Sequence, residues 1–375
     1  MPPATPPAPA YDPEPISITV CAAGCAFTSI QAAIDDEGTS AGDVITITDP
    51  IHTEAGISVH KHVTIQGLGA DRTVVQAHTV ATEASDRVFL IPEGARVTLK
   101  GMGIRHGHPT TYRQSGGGIA NFGSLTLEKC IVGDNSANDG GGIFNQGTMM
   151  ITNCAVHGNL GDKQAPPGYE CGSGGGIKNG FRGTLTMDNS TISSNQALGK
   201  GGGIFVACEG TAVLTNCTIS GNEAVGNGGG VYIKGAVKLL HCTVSENKSS
   251  ARSGGIYVRR TLDWTNCLVA GNTEQDVTIG GEGGYKGKGV ILTNTHNWVA
   301  DGTWPSDYSG DPMLGPLADN GGDTLTHALF PGSPAIDVIP ATACSLPADQ
   351  RGEPRPIHIS SDAPVCDVGA FEWQP

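Results

Sequence analysis

The stretch ITNCAVHGN, residues 151–159, returns down the chain as LTNCTISGN (214–222), LLHCTVSEN (239–247) and WTNCLVAGN (264–272). A cysteine and an asparagine at a fixed offset, recurring at a steady interval, mark equivalent positions of a repeated structural unit. Working outward, the motif Gly-Gly-Ile/Val puts Ile119, Ile143, Ile177, Ile204, Val231 and Ile256 in one column, with separations of 24, 34, 27, 27 and 25 residues. The cysteine column is then Cys130, Cys154, Ser190, Cys217, Cys242 and Cys267, and the asparagine column is Asn135, Asn159, Asn195, Asn222, Asn247 and Asn272. Period-2 segments such as TMMITNC, separated by Gly and Asn, read as brief strands joined by tight turns. A unit of about 25 residues is too short for a propeller blade and has no helical period, but it suits one coil of a parallel β-helix. Coils stacked about 4.8 Å apart turn each column into a ladder. The handedness of parallel crossovers makes the coil right-handed. Asparagine suits a ladder at a turn, because it tolerates the left-handed backbone region and its amide can bond the neighbours above and below.

Composition agrees with an all-β chain and narrows its partners. Glycine accounts for 56 of 375 residues, too many for a helical protein. A formal charge of −14 argues against nucleic acid, which needs a basic face. No apolar run approaches the roughly 18 residues of a membrane-spanning helix. The opening MPPATPPAPAYDPEP has neither a basic n-region nor an apolar h-region and reads as a Pro/Ala linker over 1–16, left after a leader was removed and a Met added. Next, FTSIQAAIDD (27–36) carries Phe27, Ile30, Ala33 and Ile34 at helical spacing after a Thr/Ser cap, which predicts a short helix plugging the open end of the coil stack. The expected organisation is that linker, a β-helix with its N-terminal cap over 17–272, and last coils with an irregular Gly/Pro-rich C-terminal cap over 273–375.

Here the sequence resembles known families. The coil pattern GGGI.N.G.LTL.NCTISGN is similar to the polymorphic-outer-membrane-protein type of right-handed β-helix repeat found in bacterial secreted and surface proteins. The tail DPMLGPLADNGGDTLTHALFPGSPAIDVIP (311–340), followed by DQRGEPRP and CDVGAFE, resembles the C-terminal region of choice-of-anchor Q proteins. The first coils, FTSIQAAIDD through VTIQGLG, are similar to those of pectate-lyase-like proteins. The resemblance covers roughly residues 17 to 373 and implies a secreted or cell-surface β-helix. It leaves activity open, because one fold hosts many functions.

The 11 cysteines sort by position. Those in the inward column stack in a line and cannot converge tetrahedrally on zinc; parallel Cβ vectors also aim their sulfurs poorly for disulfides. They are expected to be buried free thiols acting as small hydrophobes. Cys21 with Cys25, and Cys344 with Cys366, are expected staples. Cys171, inside the insertion LGDKQAPPGYECGS, and Cys208, one unit later, form a plausible third bridge pinning that insertion to one flank.

Alternation after each Gly-Gly-Ile/Val assigns an outward column Ala120, Phe144, Lys178, Phe205, Tyr232 and Tyr257, with partners Phe122, Gln146, Gly180, Ala207, Lys234 and Arg259 two residues on. Only 5% of the chain is aromatic, so several aromatics in one outward strip mark a candidate carbohydrate groove, since rings stack on sugars and Lys/Arg recognise carboxylate or sulfate. Phe144, Phe205 and Gln146 are candidate substrate-binding residues. The tightest set, Tyr232, Lys234, Tyr257 and Arg259, suits β-elimination on a uronate polymer. Arg259 and Lys234 would neutralise the carboxylate, a Tyr or Lys would take the α-proton, and a Tyr would protonate the leaving oxygen. Lys178 is an alternative base.

Other chemistries are less well served. Glycoside hydrolysis needs two facing carboxylates, yet Glu128 and Asp188 share a column two coils apart and Asp263 stands alone in its own. His60 with His62, and His106 with His108, are possible metal pairs without a third ligand, so no metal is assigned. Acidic turns such as GDNSANDGGG (133–142) could hold calcium loosely, although they match no defined calcium loop. Charges in DQRGEPRP and CDVGAFE read as an internal salt-bridged cap. The expectation is a monomeric, secreted glycan-active protein, most concretely a polysaccharide lyase. The rival is a noncatalytic surface or adhesin-like module whose strip binds glycan or a partner.

Overall fold

The computed structural model describes residues 15–111, 114–162, 173–280, 289–356 and 365–374. The linker expected at the start falls almost wholly outside them, and so does Cys171. Within them the chain winds into a parallel β-helix of three long sheets. Sheet A has eleven strands, from Ser17–Val20 to Val290–Thr295; sheet B has ten, from Ile51–Thr53 to Trp298–Val299; sheet C has nine, from Ile57–Ser58 to Val277–Ile279. Two-residue strands between B and C, Ser136–Ala137 to Lys248–Ser249, add a narrow fourth sheet. The register follows the Gly-Gly-Ile/Val column: Ile119 pairs with Ile143, then Ile177, Ile204, Val231 and Ile256 in turn.

Inward side chains fill one continuous core of Ile, Val and Leu. The column cysteines are buried free thiols, as their stacking required. They also hydrogen-bond: the Cys217 thiol donates to the Thr215 carbonyl, and Cys130 N–H donates to the Cys154 sulfur. Ser190 does the same work in its coil, accepting from Cys154 N–H at 3.0 Å and donating to the Asp188 carbonyl at 2.7 Å.

The asparagine column forms the expected ladder by a different backbone route. The ladder asparagines do not adopt positive φ. That conformation falls on the residue before each of them, Asp134, Gly158, Ser194, Gly221, Glu246 and Gly271, and on the residue before each column position, such as Asn153 and Asn216. The left-handed residue makes the bend, which leaves the following asparagine free to turn its amide inward. Asn222 is typical: its Nδ2 donates to Asn247 Oδ1 at 2.9 Å and to the Ile192 carbonyl at 3.0 Å, while its Oδ1 accepts from Asn195 N–H and Nδ2. The ladder ends on a carboxylate, with Asn272 Nδ2 donating to Asp276 Oδ1 at 2.8 Å. A shorter ladder runs from Asn121 to Asn145 to Asn179.

Both ends of the stack are closed. Helix α1 (Ile30–Asp35) is capped by Ser29 and buries Ile30, Ala33 and Ile34. The Glu54 carboxylate accepts from Ser29 Oγ and from the Ile30 and Gln31 amides, satisfying donors that a helix start leaves open. Disulfides Cys21–Cys25 and Cys344–Cys366 are formed. At the other end Trp304 packs against the core. The chain then turns back, and the described residues of its tail, 311–356 and 365–374, lie as a strap along the outer face of sheet B. Its contacts include Thr191 Oγ1 with the Leu325 carbonyl, Thr218 with Gln350, Ser220 with His327 and Thr243 with Ala370. The strap carries the internal salt bridges expected of its charges, Arg355–Glu372 at 2.9 Å and Arg351–Asp349 at 2.7 Å.

Asn222→Ala should lower stability by about 3 kcal/mol or more, because it strips partners from Asn195 N–H, Asn195 Nδ2 and the Ile192 carbonyl, each about 1–3 kcal/mol when orphaned. Cys217→Ser should stay within about 1 kcal/mol, since a hydroxyl already serves this column at Ser190. Denaturant midpoints of the two variants against the parent check both.

Candidate functional site

The outward residues of sheet C come together as the register requires. Phe144, Lys178, Phe205, Tyr232 and Tyr257 are successive coil partners. The Phe205 and Tyr232 rings stack at 5.1 Å and 9°, and Tyr232 and Tyr257 at 5.3 Å and 3°. This near-parallel spacing follows from the coil rise, since in-register parallel strands hold identical rotamers one strand apart. Cations surround the stack. Lys178 Nζ lies 5.3 Å from the Phe205 centroid and Lys200 Nζ 5.3 Å from that of Tyr232, both within cation–π range. Arg259 Nη1 donates to the Tyr232 hydroxyl at 3.4 Å.

The strip is not the open aromatic surface that the sequence suggested. Tyr232 and Tyr257 are 1% and 0% exposed and Phe205 is 4%; the three make a separate apolar cluster outside the main core. Tyr232 lies between the other two rings, and cations lie over Phe205 and Tyr232, so stacking takes much of the ring surface out of solvent. The tyrosines therefore present no bare ring face to a sugar. Lys234 and Arg259 are half-buried beside them. The open end of the strip is Phe144, half-buried, with exposed Gln146 and with Phe122 at 5.9 Å between ring centroids.

Lys178 has a partner that the column analysis missed. Its Nζ lies 2.8 Å from Asp139 Oδ2, each side chain only 14% exposed. Asp139 stands in the turn leading into the Phe144 strand and also accepts from Ser173 N–H at 3.1 Å. Burial pushes its carboxyl above the ordinary 3.8, more than Lys178 pulls it down. The signal was present in the sequence as the residue before each Gly-Gly-Gly run, where Ser115, Asp139, Ser173, Lys200 and Asn227 line up. Reading that column needs the diagonal contact between coils, which only the fold supplies.

The remaining candidates stay apart. Thr152 stands between Glu128 and Asp188 in the sheet A register. Glu128 pairs with Lys100 at 3.0 Å and Asp263 with Lys238 at 3.4 Å, so no facing carboxylate pair arises from these columns. His62 accepts from Arg96 N–H, His60 lies 3.8 Å from Asp35, His106 bonds the His78 carbonyl and His108 bonds Ser136. Among the described residues no group of three or more His, Cys, Asp or Glu side chains is arranged to hold a metal ion. Cys208 is an exposed free thiol rather than half of the expected bridge, and its proposed partner Cys171 lies outside the described residues.

Comparison with known proteins agrees with this architecture. Residues 60–273 match the family model described as the right handed beta helix region. No curated protein matches the chain. Among solved structures, a pectate lyase is similar with a TM-score of 0.56 at 13% identity, over 97% of each chain. The A-module of a mannuronan C-5 epimerase from Azotobacter vinelandii is similar with a TM-score of 0.41 at 14% identity, over 72% of this chain and 81% of its own. A pectin methylesterase from Erwinia chrysanthemi has a TM-score of 0.35 at 13% identity, over 84% and 85%. At these identities the likeness is one of fold.

Lys178→Ala should destabilise the protein by about 3 kcal/mol at neutral pH, because it leaves Asp139 as an unpaired buried charge. Unpaired, Asp139 holds its proton to higher pH in the folded state than unfolded, so the loss should shrink as pH falls towards 3.8. Adding Asp139→Asn should restore much of it. Thermal unfolding of the three proteins across that pH range checks the order.

Proposed function

Because the chain belongs to the right-handed β-helix family, whose stacked coils offer long continuous faces, we propose that it engages an extended, uronate-containing polysaccharide along sheet C. The observation that supports this most is the setting of Lys178, Lys200 and Arg259 against one aromatic ladder, with Lys234 two residues beyond Tyr232, in a chain of net charge −14. A local cationic strip on an anionic protein is what recognition of a polymeric carboxylate needs. The full-length likeness to a pectate lyase lends support, as pectate is such a polymer. Binding without chemistry is the first reading, since the tyrosines are enclosed and Lys178 is neutralised by Asp139. The cationic fringe then holds uronate carboxylates while Phe144, Phe122 and Gln146 meet sugar rings at the open end.

Elimination is the second reading, favoured by one observation. Lys178 and Asp139 hold a cation and a carboxyl of raised pKa 2.8 Å apart, a pair able to exchange a proton. In that reading Lys178 first passes its proton to Asp139, the neutral amine takes the α-proton, Arg259 steadies the carboxylate, and water protonates the leaving oxygen as its C–O bond breaks. Two disulfides support an oxidising, secreted or surface setting. The coil and tail motifs support the polymorphic-outer-membrane-protein and choice-of-anchor Q assignments at the level of resemblance.

Affinity electrophoresis through polygalacturonate, alginate and a neutral glucan should show retardation by the acidic polymers alone, weakening as salt rises. The double variant Lys234→Gln, Arg259→Gln should bind about tenfold more weakly, or about 1.4 kcal/mol. Equal mobility in all gels would sink the proposal. Ultraviolet absorbance growing with time, from an unsaturated uronate product, and abolished by Lys178→Gln, would decide for elimination.

A further inference from the structure

The strap on sheet B is held by a buried charge cluster that, among the described residues, does not balance. There three carboxylates, Asp349, Asp367 and Glu372, meet two guanidiniums, Arg351 and Arg355. The Arg355 and Glu372 side chains are 0% and 1% exposed, and those of Arg351 and Asp349 are 8% and 0%. Arg355 Nε donates to Glu372 Oε2 at 2.9 Å and Nη2 to the Gly369 carbonyl at 3.1 Å, while Nη1 faces His241 Nδ1. His241, fully buried, is the coil's own titratable group in the cluster, and its Nε2 faces Asn266 Nδ2. Glu372 Oε2 accepts from Asp367 N–H at 3.0 Å, and Asp349 Oδ2 accepts from Glu372 N–H at 3.0 Å and from Arg351 Nε at 2.8 Å. Asp367 Oδ1 accepts from Asp337 N–H at 2.8 Å, which brings a further carboxylate near. At the far end of the strap His327 bonds Ser220, with Glu246 acting on it from the coil. Fit at the centre is close, for a Cβ on Gly369 would lie 2.6 Å from Thr243 Oγ1.

We propose that the C-terminal strap is a pH-responsive latch, seated most firmly on sheet B in mild acid and loosened towards neutrality, with the Asp367–Glu372 pair taking up a proton as the strap seats. With every carboxylate ionised and His241 neutral, seating buries a net negative charge, which a low-dielectric site resists; protonation of the Asp367–Glu372 pair relieves it. Burial, outweighing Arg355 for Glu372 and the Trp373 and Asp337 amides for Asp367, raises Glu372 from 4.5 to about 7 and Asp367 from 3.8 to about 6. Between the released and seated values the seated form holds more protons, so seating weakens as pH rises through that window and levels above it. His241 acts in the opposite sense. Burial first, then Arg355, lowers it from 6.5 to about 2, so protonation of the released form opposes seating in acid. Two uptakes against one release leave a net gain of about one proton, and seating is firmest near about pH 4.5, below which His241 prevails.

Amide exchange on the full chain tests the latch. The Gly369 and Ala370 amides bond Asn266 and Thr243 across the strap contact, whereas the Thr218 and Thr243 amides bond Ser190 and Cys217 between coils and serve as the internal reference. Protection factors at Gly369 and Ala370 should fall roughly three- to fivefold per pH unit from about pH 4.5 to about 7, most steeply between about 5 and 6, while Thr218 and Thr243 hold. Glu372→Gln should flatten that slope. Asp367→Asn, as a second neutral isostere, should also reduce it. Gly369→Ala, which changes no titratable group, should leave the strap poorly protected at every pH. Strap and coil amides losing protection together, or an unchanged slope in both isosteres, would overturn the proposal.

Discussion

Every feature of this molecule depends on in-register hydrogen bonding from coil to coil, with the buried asparagine ladder at its corner. Each ladder amide donates to a backbone carbonyl and to the asparagine of the next coil, or at the last coil to Asp276, so a corner that would otherwise bury unpaired polar groups is satisfied at each turn. A shift of one residue in any coil would orphan those groups and turn core side chains outward. The register is therefore strongly specified, and everything on the outside inherits it.

The aromatic strip is one inheritance. Once Phe205, Tyr232 and Tyr257 occupy the same position in successive coils, their rings have little choice but to stack at the strand spacing. Stacking stabilises the face and encloses it, so sheet C carries a closed ladder with cations packed against it rather than a bare aromatic platform. The strap is another. Sheet B presents Thr191, Thr218 and Thr243 in one outward row and Ser193, Ser220 and Ser245 in another. The strap covers this hydroxyl row with complementary partners: the Gln350 amide donates to Thr191 and accepts from Thr218, and His327 reaches Ser220.

The columns made most of the fold legible in advance. Repeat spacing, the inward cysteines, the capping helix and two of the disulfides all follow from local patterns, because in a solenoid each unit contacts mainly its neighbours and sequence period translates directly into space. The outward column was legible as well, including the neighbours of Tyr232 and Tyr257. What eluded the columns was diagonal or long-range. The Lys178–Asp139 pair joins a strand to the turn of the previous coil, and His241 meets Arg355 across 114 residues. No periodicity relates residues that far apart, since the strap does not repeat.

By itself the sequence determined the right-handed coil, its register and the identity of each face, because these rest on a period written in every unit. Tertiary structure alone decided exposure. Alternation can say that Tyr232 points away from the core, but not that neighbouring rings then close around it. Composition can say that the tail is charged, but not that three of its carboxylates and two of its arginines lie buried against one neutral histidine of the coil. Burial is a property of everything that surrounds a residue, and for the strip and the strap those surroundings come from other coils and from the returning chain.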